Sequence, residues 1–441
     1  MLKLISFAGI LVILGLLFAL SKSRKSIKWR LVLTGLGIQA VLGVIFLAWP
    51  AGQNALYTLG DGVKNFLDLS SEGTKFIFGP LADFWMVDSA FRAMDPQQIA
   101  PDGRTYAAIR EAFMEGGRRD IGFIFATQVL PTLIFFSALM AVLYHMGIMQ
   151  KIVQGMAYLM ARIMGTSGAE SLSACGNIFV GQTEAPLMVK PYLARMTLSE
   201  IHAVMTGGYC TIAGGVFALY VLYGVAPGHL MVASVMGVPA GLICTKMLWP
   251  ETEKSETMGK VVRTPKSEAG SVVEAAANGA SDGLKLALNV GAMLIAFLGL
   301  VAVINWLLGM APGDLSLERI LGWIFYPIAA VMGVEFAEIP ILAELLGKKI
   351  VLTELLAYKD LGDLISENKI SPRTSMIASF ALCGFANLGS VAIQIGGLGA
   401  MSPERKSDIA KLAVRAMWAG ALATCLTACF AGLLASPGGG Q

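Results

Sequence analysis

Two carboxylates stand in otherwise apolar stretches: Glu184, in Asn177-Ile-Phe-Val180-Gly-Gln182-Thr183-Glu184-Ala-Pro186, and Glu354, in Thr353-Glu354-Leu-Leu-Ala-Tyr358. A carboxylate at membrane depth is costly unless it faces a partner or water, so both are functional candidates. Each precedes a segment opened by glycines and small polar groups. The first reads Gly207-Gly208-Tyr-Cys-Thr211-Ile212-Ala-Gly214-Gly215, the second Cys383-Gly-Phe385-Ala-Asn387-Leu-Gly-Ser390. No Lys or Arg is interleaved with either motif. Two acceptors without a fixed countercharge suit a neutral ligand rich in hydroxyl or amide donors, offset by a bound Na+ or a shared proton; an anionic ligand is disfavoured. Gln182, Thr183, Asn387 and Ser390 both donate and accept, and left unpaired they reject analogues that lack the matching group. Carbonyls near Val180 and Ile212, with the side-chain oxygens of Asn177 and Thr211, are hard oxygen ligands of the kind broken helices offer Na+.

The elements that must position these groups are membrane spans. Hydrophobic residues make up 56% of the 441 and charged residues 14%, against a globular norm of about 25% charged. This composition gives an all-α polytopic membrane protein. With 33 Lys+Arg against 30 Asp+Glu, the net charge of +3 is weak and scattered, which sets nucleic acid aside. Six cysteines lie in apolar runs without C-x-x-C spacing and read as small core residues. The histidines His145, His202 and His229 are scattered and supply neither a base nor a ligand set, so an intramembrane enzyme is not expected.

Eight stretches are long enough to cross roughly 30 Å of hydrocarbon: 4–20, 31–49, 122–149, 199–223, 229–249, 284–310, 376–399 and 409–435. The basic cluster Lys22, Arg24, Lys25, Lys28 and Arg30 belongs on the cytoplasmic side, which places the N-terminus outside. The linker 251–268 and the loop around Arg405, Lys406, Lys411 and Arg415 then fall on the same side, and the C-terminus outside. Residues 51–120, with mixed charge and interleaved Phe84, Trp85 and Phe91, read as amphipathic helices on the outer membrane surface. Residues 168–188 and 318–346 are apolar but broken by Gly, Pro and polar residues, and read as re-entrant hairpins. Irregular backbone survives at that depth only inside protein or beside a water-filled cavity.

The order is the same twice: a broken hairpin with one glutamate, then an opened helix. That is the mark of an internally repeated, inverted transporter fold with a midplane site. Passive channels more often show charged rings from identical subunits, and accumulation against a gradient separates the two classes. The division is 1–121 (N-terminal spans and outer helices), 122–150 (a scaffold span), 151–223 (first hairpin and broken span, transport domain), 224–310 (scaffold spans and cytoplasmic linker), 311–400 (second hairpin and broken span, transport domain) and 401–441 (last span). Each feature has a plainer reading beside the functional one. The glycines Gly207, Gly208, Gly214 and Gly215 read first as close-packing residues, and a lone Asn177 or Asn387 can simply join two helices.

The stretch GQTEAPL with Asn177 five residues before its Gln, together with GASDGLKLALNVGAM (Gly279 to Met293) and FALCGFANLGS (Phe380 to Ser390), resembles the concentrative nucleoside transporters, particularly bacterial members. The similarity runs from about residue 122 to the C-terminus. It implies Na+-coupled, in some relatives proton-coupled, symport of uridine-like nucleosides across the inner membrane. It also implies a homotrimer in the bilayer whose transport domains slide past a fixed scaffold. In the residues matched, the resemblance implies that Gln182 and Thr183 hydrogen-bond the base with Glu184 beside them. Glu354, Asn387 and Ser390 would hold the ribose hydroxyls, and Val216, Leu286 and Phe385 would line the apolar side of the base. Asn177 and Thr211 side chains with the Val180 and Ile212 carbonyls would bind Na+. No organic cofactor is implied. The second-hairpin motif departs from the family's usual N-E-F-V-A-Y, reading Thr353 to Tyr358 as TELLAY, and Gly389 stands where a serine is common.

Overall fold

A computed structural model describes residues 1–82, 124–128, 130–260, 262, 269–310 and 315–434. The outer segment 86–120, the aromatics Phe84, Trp85 and Phe91, and the tail 437–441 lie outside those residues. Among the described residues, all regular structure is helical apart from one isolated bridge between Ser167 and Met258.

Among the described residues, six helices are long and apolar enough to cross a membrane: Leu2–Ala19, Trp29–Ala48, Phe125–His145, Pro227–Leu248, Val272–Leu308 and Pro403–Leu434. The other two expected spans are each cut in the middle. Residues 199–223 become Leu198–Cys210 and Gly214–Leu222, and residues 376–399 become Pro372–Ala381 and Leu388–Met401. The multi-pass, all-helical architecture therefore holds, with two of its eight crossings broken where glycine and small polar residues replace apolar ones.

In chain order the helices that matter are α1 (Leu2–Ala19), α2 (Trp29–Gly43), α3 (Pro50–Asp68), α4 (Ser70–Phe78), α5 (Leu130–His145), α6 (Ile148–Met164), α7 (Gly168–Gly176), α8 (Leu198–Cys210), α9 (Gly214–Leu222) and α10 (Pro227–Leu248). They continue with α11 (Val272–Leu308), α12 (Leu317–Ala330), α13 (Ile339–Val351), α14 (Glu354–Ser366), α15 (Pro372–Ala381), α16 (Leu388–Met401) and α17 (Lys406–Leu434). α11 begins twelve residues before the span expected at 284, because Ser271 caps it by accepting from the Glu274 amide (3.1 Å). The polar start Asn278 to Lys285 then simply continues the helix, with Asp282 and Lys285 paired on its exposed face (3.1 Å).

The second hairpin also moves. The stretch expected at 318–346 holds two helices, α12 and the start of α13, and the hairpin proper is α13 against α14, meeting at Leu352–Thr353. Pro340 near the start of α13, and Thr353, which accepts from the Leu355 amide (3.3 Å) at the start of α14, set these limits. Each hairpin helix has 13 residues, or about 20 Å at 1.5 Å per residue, too short to cross. The first hairpin is α7, a turn over 177–184, and the short helical piece Ala185–Leu193.

The architecture then repeats as two runs: α6, first hairpin, α8/α9, α10; and α12, second hairpin, α15/α16, α17. The last helices of the two runs, α10 and α17, are the most buried spans. α17 packs on α8, α10, α15 and α1, while α11 lies along α5 at the periphery. The helix starts are fixed by side chains. Capping boxes Ser167/Glu170 and Thr197/Glu200 open α7 and α8, and Ser371 opens α15. The six cysteines are all buried thiols.

Candidate functional site

The two broken spans meet at their breaks. Gly384 has φ +86, and a Cβ there would overlap the Tyr209 carbonyl oxygen and stand 2.8 Å from the Cys210 carbonyl carbon. Only glycine accepts both that backbone and that approach. Cys383 Sγ reaches the Cys210 carbonyl at 3.8 Å. Around this crossing the hairpins supply the side chains.

One chain of hydrogen bonds joins both hairpins through α16. Gln182 Nε2, from the first hairpin, donates to Ser390 Oγ (3.0 Å). The Ser390 amide donates to Asn387 Oδ1 (2.7 Å), so Asn387 caps α16 while its Nδ2 donates to Glu354 Oε2 (2.8 Å) in the second hairpin. Glu354 also accepts from the Tyr220 hydroxyl (3.2 Å) and the Thr353 hydroxyl (3.3 Å). Gln394, one helical turn past Ser390, donates to Gln182 Oε1 (3.1 Å) and to the Met205 carbonyl (3.1 Å). Gly208 makes room for that pair: a Cβ there would come within 2.8 Å of both Gln182 and Gln394 side chains.

A second group gathers at the break of α8. Asn177 is 1% exposed, its Nδ2 donates to the Ser173 carbonyl (2.9 Å), and its Oδ1 has no hydrogen-bond partner among the described residues. It lies against Gly207, where an added Cβ would stand 3.2 Å from Nδ2. The Thr211 hydroxyl donates to the Gly207 carbonyl (2.9 Å), so both side chains converge on one turn of α8. The Gly214 amide donates to the Phe179 carbonyl (3.1 Å), which ties the turn containing Val180 to the break containing Ile212.

Of the residues read from sequence, Gln182, Glu354, Asn387 and Ser390 are thus brought into one buried chain, and Asn177 and Thr211 are brought to the same turn of α8 beside it. Thr183 is half-buried and faces Gly397. Glu184 is exposed, its carboxylate turned back over Gly181. Val216 is buried, and Leu286 and Phe385 are half-buried against the main apolar core. Of the glycines, Gly207 and Gly208 pack directly on site side chains, and Gly214 packs on Phe136 and the Phe179 carbonyl.

Sequence reasoning missed four participants. Gln394 could have been found, since it continues the stripe Asn387, Ser390 one turn on. Tyr220, in an apolar run that gives no sign of its role, stacks with ring centroids 4.1 Å apart on Tyr358, which closes the TELLAY motif but carries no assigned role there. Lys349, five residues before Glu354, is 1% exposed, and its Nζ donates to the carbonyls of Ala381 (2.9 Å) and Cys383 (2.9 Å) and to Thr424 Oγ1 (2.8 Å). The motifs are free of Lys and Arg, but the second hairpin is not.

Three family models match in succession: "Na+ dependent nucleoside transporter N-terminus" over residues 8–81, "Nucleoside recognition" over 126–226, and "Na+ dependent nucleoside transporter C-terminus" over 229–432. An uncharacterized transporter of Bacillus subtilis is 41% identical over 431 residues, covering 96% of this chain and 98% of its own. Sodium/nucleoside cotransporter 2 of Rattus norvegicus is 40% identical over the whole of this chain, which spans 64% of that protein's length. Among solved structures, CNTnw in an inward-facing substrate-bound state superposes with a TM-score of 0.87 at 40% identity, covering 99% of this chain and 100% of the other. A variant of CNTnw in an outward-facing state gives the same TM-score at 98% coverage of both. With matching models running through both repeated halves and a relative of nearly equal length, the chain belongs to the concentrative, Na+ dependent nucleoside transporter family.

Proposed function

We propose that this protein couples an inward Na+ gradient to the uptake of uridine-like nucleosides across a bacterial inner membrane. The observation that carries the reading is the hydrogen-bond chain Gln182–Ser390–Asn387–Glu354 between the two hairpins, beside the Asn177 oxygen that has no partner among the described residues. A buried amide oxygen without a donor is costly, and a hard cation satisfies it. Asn177 and Thr211, with the carbonyls of Val180 and Ile212, are the Na+ ligands in this reading.

The polar chain suits a neutral polyhydroxy ligand. A carboxylate offers about four lone-pair sites, and Glu354 already accepts from Tyr220, Thr353 and Asn387. One ribose hydroxyl takes the remaining site, and a second replaces the longest bond, that from Thr353. Asn387 and Ser390 complete the ribose contacts. Gln182 and Thr183 address the base, with Glu184 beside them, and Val216, Leu286 and Phe385 line its apolar side. Relatives named sodium/nucleoside cotransporters support the substrate and ion, and the likeness to CNTnw in both inward- and outward-facing states supports alternating access.

In this reading the runs at 151–223 and 311–400 move as a transport domain against spans 1–121, 122–150 and 224–310, in a homotrimer with both termini outside. The last span, 401–441, closes the chain. The test is uptake of radiolabelled uridine into proteoliposomes under an inward Na+ gradient, an inward proton gradient, or neither. Accumulation with Na+ alone is expected. Accumulation with protons alone would move the coupling to a carboxylate, and equilibration without accumulation would leave a channel.

A further inference from the structure

The breaks of the two inverted runs expose the same backbone feature, the carbonyls at the end of a half-helix, where the helix dipole is negative and four carbonyls lack helical partners. In the first run the side chain brought to that end from the hairpin is Asn177, whose Oδ1 has no partner among the described residues. In the second run the corresponding hairpin helix, α13, brings Lys349 two residues before its end. Its nitrogen sits on the Ala381 and Cys383 carbonyls and Thr424 Oγ1. The protonation state follows from the donor count. Thr424 Oγ1 spends its own hydrogen on the Ala421 carbonyl (2.9 Å), so it accepts from Lys349. Three acceptors match the three protons of an ammonium, whereas a neutral amine has two.

We propose that Lys349 is a tethered cation standing at the inverted-repeat counterpart of the exchangeable Na+ site. The second half is thereby permanently occupied, and each transport cycle carries one Na+ rather than two. The inference rests on the Na+-coupled reading above. Lys349 acts through the break of α15, which leads directly to Asn387 and Glu354, and is a positioning residue for the nucleoside contacts.

The wild-type protein in proteoliposomes tests this first, through the net charge moved per nucleoside taken up. One charge is expected, and two would overturn the proposal without any variant. Lys349→Asn then gives the second half a side-chain oxygen like that of Asn177. We expect two charges per nucleoside, and a Hill coefficient for Na+ rising from about 1 towards 2, the number of sites. A readout independent of transport is thermal unfolding in detergent against Na+ concentration. Lys349→Asn should show a steeper Na+-dependent rise in midpoint than wild type, whereas a merely structural lysine would lower the midpoint at every Na+ concentration and leave the slope unchanged. Unchanged slope and unchanged charge ratio in Lys349→Asn would overturn the assignment. Wild-type uptake indifferent to Na+ would instead remove the coupling reading itself.

Discussion

The two inverted runs use the same helical plan but anchor their ends by different chemistry. Where the starts of α7 and α8 meet the end of α10, the first run is held by buried charge: Lys246 bridges Glu170 (2.6 Å) and Glu251 (3.5 Å), and Glu200 accepts from Ser255 (2.6 Å) and Thr257 (3.3 Å) of the linker. The corresponding corner of the second run relies on a cap and backbone carbonyls. Glu338 accepts from the Ser371 amide (2.7 Å) and hydroxyl (2.8 Å), and Arg373 donates to the Gly333 (2.9 Å) and Gly432 (2.6 Å) carbonyls. At the breaks the assignment reverses. The first carries an amide whose oxygen has no partner among the described residues, and the second carries the buried Lys349 nitrogen on two backbone carbonyls. The difference teaches that a duplicated backbone device need not carry duplicated chemistry, because the polarity of one or two side chains decides what each copy holds.

The comparison breaks most sharply at Glu354. Changing it to Gln places an amide NH2 among the hydroxyl of Tyr220, the amide of Asn387 and the hydroxyl of Thr353, all of which donate to the carboxylate. We expect Glu354→Gln to abolish concentrative uridine uptake, and wild-type uptake would remove the ribose assignment. The crossing of the breaks comes next. Gly384→Ala combines a left-handed backbone, costing about 1–2 kcal/mol, with overlap on the Tyr209 carbonyl. A thermal midpoint in detergent several degrees below wild type is expected, while Gly207→Ala, whose nearest neighbour is a side-chain nitrogen at 3.2 Å, should be milder. An equal effect of the two would show that the breaks do not bear on one another. The smallest effect belongs to the first half alone. Asn177→Ala or Thr211→Ala should raise the Na+ concentration for half-maximal uptake with little change at saturation, and an unaltered Na+ dependence would place the cation elsewhere.

Much of this arrangement was legible in the sequence because membranes enforce it. Six spans follow from long apolar runs with few charges, and the two cuts follow from glycine and small polar residues in the middle of otherwise suitable stretches. Gln182, Asn387, Ser390 and Glu354 stood out because polar groups are rare in such runs. What stayed hidden depends on direction rather than composition. Lys348 and Lys349 are neighbours, and on a helix they point about 100° apart. Lys348 turns outward to Asp360 (2.5 Å) while Lys349 turns inward to the second break. Nothing in the pair says which is which. Tyr220 was equally silent, since a tyrosine in an apolar helix is compatible with core, lipid or site. The boundary between α12 and α13 was missed because both are apolar and short, and only the turn at 331–338 separates them.

The linker after α10 has a practical side. Thr257 accepts the Gly168 amide through its carbonyl (3.0 Å), and Ser255 and Thr257 hold Glu200, so this stretch is fastened to the starts of α7 and α8. Lys254, exposed between Glu251, held by Thr197, and Ser255, therefore belongs mechanically to the first hairpin although it follows a long span in the chain. A fluorophore there would report the position of the hairpin rather than the wandering of a tether, which makes it a natural vantage point for watching the protein turn over one molecule at a time.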